Sequence, residues 1–168
     1  MRFILADKIE SIEPGKRIVT IKALSLAEEY LADHFPIFPV LPGVLMIEAM
    51  VQSAAWLVRV QQNFTMSIIV LRTARNVRYS SFVAPGNFLR CELEAVSIGD
   101  DAATFKGSGH VGDTQVVSGR LELKCFNLAE QGGSWRREAD ESILSQMRTR
   151  FRLVGGPEAM AAAQAAPA

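Results

Sequence analysis

The sequence predicts an α+β domain in which a curved antiparallel sheet wraps one long buried helix. Three observations predict it. After Gly43, residues 44–61 hold neither proline nor glycine and are good helix formers, apolar nearly all round, so the helix needs a covering layer. Segments with strand character precede and follow this helix. Short turn signals separate those segments, which suits neighbouring antiparallel strands.

The N-terminus reads as a hairpin. Phe3, Ile4 and Leu5 open an apolar segment that Ile9 and Ile12 continue. Glu13-Pro14-Gly15-Lys16 is a turn, because Pro fixes φ and Gly permits a positive φ. Arg17–Ala23 alternates apolar and polar residues and is rich in β-branched side chains. Ser25–Asp33 is polar and predicts a short helix or turn. Pro36, Pro39 and Pro42 then forbid a regular helix and predict an extended stretch up to Gly43. Beyond the helix, strands are expected over Ile68–Arg75, Val77–Phe82, Asn87–Ile98, Thr104–Val111 and Thr114–Phe126. Ala84-Pro85-Gly86-Asn87, Gly99-Asp100-Asp101 and Gly112-Asp113 supply turns. The main domain is expected to occupy 1–128. A linker and an amphipathic helix with Ile143, Leu144, Met147 and Phe151 should fill 129–154, and an Ala-rich tail over 155–168 should be disordered.

Composition narrows the function classes. The 168 residues carry 18 Lys plus Arg and 18 Asp plus Glu, so formal charge is zero. A broad nucleic-acid surface needs a basic excess, so no nucleic-acid partner is expected. Two cysteines, Cys91 and Cys125, have no metal or redox spacing and suggest a reducing, cytoplasmic setting. The most apolar window, Val40–Val60, contains Glu48, Gln52 and Arg59, which argues for a core helix and against a membrane span.

The informative stretch is His34–Pro42 followed by Gly43, Val44 and Glu48. His34 begins a proline-stiffened loop and has the side chain best suited to general-base work near neutrality. Glu48 sits among Leu45, Met46, Ile47, Ala49, Met50 and Val51. Such surroundings predict a desolvated carboxyl with a raised pKa, suited to proton donation. Gln52, one helical turn on, is placed to orient it. Gly43 stands at the helix N-terminus, where an unpaired N–H could polarise a carbonyl. A base, an acid and an oxyanion donor suit proton abstraction beside a carbonyl with loss of a β-hydroxyl. A loop histidine, a satisfied buried glutamate and a plain helix-start glycine are the competing readings.

The segment DHFPIFPVLPGVLMIEAMVQ resembles the signature of the (3R)-hydroxyacyl-acyl-carrier-protein dehydratases of fatty-acid synthesis (the FabZ type, with a hot-dog fold). FILADKIESIEPGKRIVTIKAL resembles that family's N-terminal hairpin, and VRYSSFVAPGNFLRCELEAV its later strand pair. The resemblance implies that His34 takes the C2 proton of a 3-hydroxyacyl thioester and Glu48 assists departure of the C3 hydroxyl as water. It implies that Gly43, with Val44, binds the thioester carbonyl, while Gln52 and Pro42 support the site. It implies no metal and no organic cofactor, with substrate arriving on the phosphopantetheine of an acyl carrier protein. It implies a homodimer whose subunits share active sites, dimers of this kind often forming hexamers. The related dehydratase-isomerase branch usually carries Asp where this chain has Glu48, which favours plain dehydration.

Some positions depart from that pattern. Asp33 replaces the usual Gly, Ile37 and Phe38 a common Gly-Asn pair, and Asn87 the usual Asp. Ile37 and Phe38 are expected to narrow or reline the entrance. Arg72, Arg75 and Arg78 form a local basic cluster that could dock an acidic carrier protein, or be solvated strand-edge arginines. A hot-dog thioesterase and a degenerate acyl-binding subunit are the other functions to be separated from dehydration.

Overall fold

The computed structural model describes residues 3–132 and 134–165. Strands β1 (Lys8–Glu13) and β2 (Arg17–Ala23) form the expected hairpin, with Gly15 at φ 75° in its turn. Helix α1 (Gly43–Gln61) follows, then β3 (Ile68–Tyr79), β4 (Phe88–Ile98), β5 (Ala102–Val111) and β6 (Thr114–Phe126). All pairings are antiparallel, in the order β1-β2-β4-β5-β6-β3. The chain closes with α2 (Ser134–Leu153) and α3 (Gly156–Ala165).

Helix α1 packs against β2, β3, β4, β5 and β6, and Met50, Leu57, Leu93, Phe105, Leu121 and Leu123 are fully buried around it. The sheet can approach because β5 carries Gly107 under the helix. A Cβ there would overlap Met50 Cε and Leu93 Cδ1. By length and hydropathy α1 could span a membrane, yet 67% of its apolar window is buried inside the fold. A polar contact between α1 and the sheet is made by Ser53, whose hydroxyl meets Thr20 Oγ1 at 2.5 Å and donates to the Ala49 carbonyl at 2.7 Å. Cys91 and Cys125 are free and buried, and burial pushes the Cys91 thiol up to about 12.

Four local expectations are corrected. The N-terminal strand begins at Lys8; Asp7 still bonds to β2 through its N–H, and the stretch before it is tied to α1, where Gln52 holds the Phe3 carbonyl and the Leu5 amide. The two strands expected over Ile68–Arg75 and Val77–Phe82 are one, because Asn76 takes a left-handed conformation (φ 53°) and a register shift between Arg75 and Arg78 absorbs the irregularity. The proline segment does not stay extended. Phe35–Phe38 is a tight turn closed by Phe38 N–H to the Phe35 carbonyl at 2.9 Å, with Pro36 at its favoured second position. Finally, the tail expected to be disordered forms α3 over 156–165; residues 166–168 lie outside the described residues. Alanine is the best helix former, and α3 lays Ala159 against β1, where Ile9 N–H also donates to the Val154 carbonyl at 2.7 Å.

Helix α2 is likewise fastened to the body. Its Phe151 ring lies 5.7 Å from Trp56 and 5.5 Å from Phe64, centroid to centroid. Near its start, buried Asp140 accepts from the Ser67 hydroxyl and from the Leu128 and Ala129 amides. Burial pushes the Asp140 carboxyl up, but these three donors outweigh it and hold the group below the usual carboxylate range.

Candidate active site

The turn at Phe35–Phe38 folds the loop back so that Val40 lies beside His34. Val40 N–H donates to the His34 carbonyl at 3.2 Å, and His34 Nδ1 lies 3.1 Å from the Val40 carbonyl. A carbonyl only accepts, so Nδ1 carries the proton and Nε2 of the neutral ring presents a lone pair. The Phe35 ring packs on the imidazole at 4.3 Å between centroids, and His34 itself is half-buried. This is the arrangement a general base needs: one nitrogen held, the other available.

From Pro39 the chain runs into α1, with Leu41 N–H bonded to the buried Val83 carbonyl at 2.9 Å. Pro42 caps the helix by its carbonyl, which accepts from Leu45 and Met46. Among the described residues no acceptor pairs with the N–H groups of Gly43 and Val44, the first of the helix. Gly43 is needed for proximity: a Cβ there would stand 2.9 Å from Tyr79 Cε1 on β3. Tyr79 is a neighbour that no local sequence signal marks. Val44 is 73% exposed, so its N–H lies at an open helix end.

Glu48 and Gln52 share one face of α1, as their spacing predicts. Gln52 Nε2 donates to Glu48 Oε1 at 2.9 Å and to the Phe3 carbonyl at 3.1 Å, while Gln52 Oε1 accepts from Leu5 N–H at 2.9 Å. These partners fix which way the amide points. Glu48 is half-buried, not enclosed by its helical neighbours as expected, because its face of α1 opens onto a cavity of about 190 Å³. Gln52, Trp56, Arg59, Met147 and Arg150 also line that cavity. Arg59 stood out in sequence only as a charge in an apolar helix. Met147 and Arg150 come from α2, which the sequence had placed outside the main domain.

Within one chain the structure joins Glu48 to Gln52 and Gly43 to Tyr79, while His34 is not among the residues lining the Glu48 cavity. The departures cluster at the surface. Asp33 is exposed, Ile37 is 99% exposed, and Phe38 packs edge-on against Phe82 at 5.7 Å, both rings exposed. Arg72, Arg75 and Arg78 all lie on the outer strand β3 and are exposed; Arg72 pairs with Glu122 at 3.2 Å.

The profile of the FabA-like domain matches residues 1–120 of this chain. The 3-hydroxyacyl-[acyl-carrier-protein] dehydratase FabZ of Clostridium kluyveri is 34% identical over 119 residues, covering 71% of this chain and 83% of its own. The enzyme of the same name from Symbiobacterium thermophilum is 36% identical over 127 residues, covering 76% and 89%. Among solved structures, the dehydratase heterocomplex ApeI:P from Xenorhabdus doucetiae superposes with a TM-score of 0.63 at 19% identity, covering 76% of this chain and 86% of that one. A variant of the fluoroacetyl-CoA-specific thioesterase FlK gives 0.57 at 16%, covering 77% and 98%. At these identities the structural likeness concerns the fold, and that fold is the hot dog: a curved antiparallel sheet around a central helix. With its family profile running over residues 1–120, through the whole His34–Gln52 segment, and relatives about a third identical over most of their own length, the chain belongs to the FabA-like family.

Proposed function

We propose that this chain is a hydro-lyase that dehydrates (3R)-hydroxyacyl thioesters, carried on acyl carrier protein, to trans-2-enoyl thioesters in fatty-acid or related lipid biosynthesis. The observation that carries the reading is the family match across residues 1–120, which contains every group the reaction requires. His34 Nε2 takes a proton from C2. The electrons of that C–H bond form the C2–C3 double bond as the C3–O bond breaks. Glu48 gives its proton to the departing hydroxyl, which leaves as water. The Gly43 N–H, with Val44 beside it, receives the thioester oxygen as charge builds there. One proton must then pass from His34 to Glu48 to reset the site. These residues supply base, acid and oxyanion donor, so the proposed chemistry uses no metal or organic cofactor, the phosphopantetheine being part of the substrate.

The separation of His34 from the Glu48 cavity favours a site completed by a second copy, His34 from one subunit facing Glu48 of the other. The exposed β3 edge, with Val70 and Leu71 partly exposed, and the apolar surface of Phe35, Ile37, Phe38 and Phe82 offer area for such a dimer. A trimer of dimers is the higher assembly this reading carries. Arg75 and Arg78, with Arg72 partly neutralised by Glu122, are the proposed dock for the acidic carrier. Free, buried cysteines accord with a cytoplasmic setting.

The test is dehydration of a 3-hydroxyacyl carrier-protein substrate by wild type and by His34→Ala. Enoyl product from wild type alone is expected. Free thiol without enoyl product would make the protein a thioesterase, and wild type no more active than His34→Ala would refute the proposal.

A further inference from the structure

The cavity that holds Glu48 follows one stripe of α1. Glu48, Gln52, Ala55, Trp56 and Arg59 recur at helical spacing and all line it. At about 1.5 Å rise per residue, Glu48 and Arg59 stand about 16 Å apart along the helix axis. The Arg59 guanidinium reaches back one turn to the Ala55 carbonyl, so the cavity carries the proposed acid toward one end and, toward the other, a guanidinium that forms no ion pair with it.

Arg59 is only 8% exposed. Its Nη1 donates to the Ala55 carbonyl at 3.5 Å and its Nη2 to the Ser67 carbonyl at 3.3 Å, both long contacts. Its Nε–H is buried and finds no acceptor among the described residues. Arg150, reaching in from α2, lines the same cavity. Among the described residues neither guanidinium forms an ion pair with a carboxylate. Burial, with the Arg150 charge beside it, pushes Arg59 down to about 10, which still leaves it protonated at neutral pH. Two adjacent cations, one of them buried with an unused donor, are unfavourable in a pocket whose lining carboxyl, Glu48, pairs with neither, unless an anion joins them. The planar fork of a guanidinium fits a carboxylate in particular.

We propose that Arg59 and Arg150 form a subsite for a carboxylate at the far end of the acyl chain, so that the substrate is an ω-carboxy-3-hydroxyacyl thioester. This rests on the dehydratase reading and narrows it to a substrate class. Arg150 and Met147 belong to α2, which lies beyond residue 120 where the family match ends. The C-terminal helix thus gives the pocket a wall and a charge that the matched region does not supply.

The experiment compares kcat/KM for two carrier-bound substrates of equal length, 3-hydroxydodecanoyl and its ω-carboxy counterpart. Wild type should prefer the carboxylate-ended chain about tenfold or more, the scale of one charge-assisted hydrogen bond. Arg150→Met and Arg59→Met should each abolish most of that ratio. Arg150 is half-exposed on its helix, so its variant keeps the test valid if Arg59→Met fails to fold. A wild-type preference for the methyl-ended chain, or an unchanged ratio in Arg150→Met, overturns the subsite while leaving the dehydratase reading in place. Failure to dehydrate either substrate instead removes the dehydratase reading, and this inference with it.

Discussion

Replacing Gln52 with Leu tests how Glu48 is held. The substitution keeps side-chain volume while removing three hydrogen bonds of 2.9, 3.1 and 2.9 Å, to Glu48, the Phe3 carbonyl and the Leu5 amide. Each is worth about 1 kcal/mol net, and Gln52 is half-buried, so water replaces part of the loss; about 2 kcal/mol of stability should go. For a chain of this size that is a fall in melting temperature of roughly 4–8 °C. Catalysis should suffer separately. Loss of the contact that aims the Glu48 carboxyl removes a charge-assisted bond of about 1.5–3 kcal/mol, or roughly 10–100-fold in kcat, with KM little changed. Calorimetry and steady-state dehydration kinetics read the two effects. Gln52→Glu keeps an acceptor for Leu5 but sets a second carboxyl group, in place of the amide donor, against Glu48, so it should lose more activity than Gln52→Leu. A Gln52→Leu enzyme that melts lower yet keeps kcat within about twofold of wild type would refute the orienting role and leave Gln52 a structural clamp only.

Two further predictions concern the elements that frame the site. Lys22 is 5% exposed and bridges Glu28 at 2.6 Å and Asp7 at 3.2 Å, so Lys22→Met leaves two carboxylates facing each other; about 2–3 kcal/mol should be lost in urea denaturation, with partial recovery in Lys22→Arg, and an unchanged midpoint would contradict the network. Asp140 has a folded-state pKa below its unfolded value of about 3.9, so its contribution is present above that pH and is lost as pH falls through the lower, folded value. The melting-temperature gap between wild type and Asp140→Asn should therefore be full near neutrality and shrink in acid, and a gap that grows in acid would reverse the assignment.

Much of this architecture is legible in sequence where local chemistry decides it. The Pro14-Gly15 turn, the unbroken α1 and the alternating strands each follow from residues acting on their own neighbours. So does the Glu48–Gln52 pair, whose four-residue spacing suffices. What escapes is set by contacts between distant segments. Nothing near Phe3 announces that its carbonyl and the Leu5 amide will clamp a glutamine on α1. The composition of the Ala-rich tail suggests disorder, and it is the flank of β1 that gives α3 a surface on which to lie. Arg59 looks like an interruption of an apolar helix until α2 brings Arg150 to the same cavity. The three prolines predict a stiff, extended loop, but it is the turn at Pro36 that carries Val40 back to fix the His34 tautomer.

The most direct test of a dehydratase site assembled from His34 of one subunit and Glu48 of another is complementation. His34→Ala and Glu48→Gln, each inactive alone, are co-expressed and the mixed dimers assayed with a 3-hydroxyacyl carrier-protein substrate. A shared site leaves one intact His34–Glu48 pair in every mixed dimer, so random pairing should restore about a quarter of wild-type activity. No activity from verified mixed dimers, alongside an active wild type, would contradict the shared site.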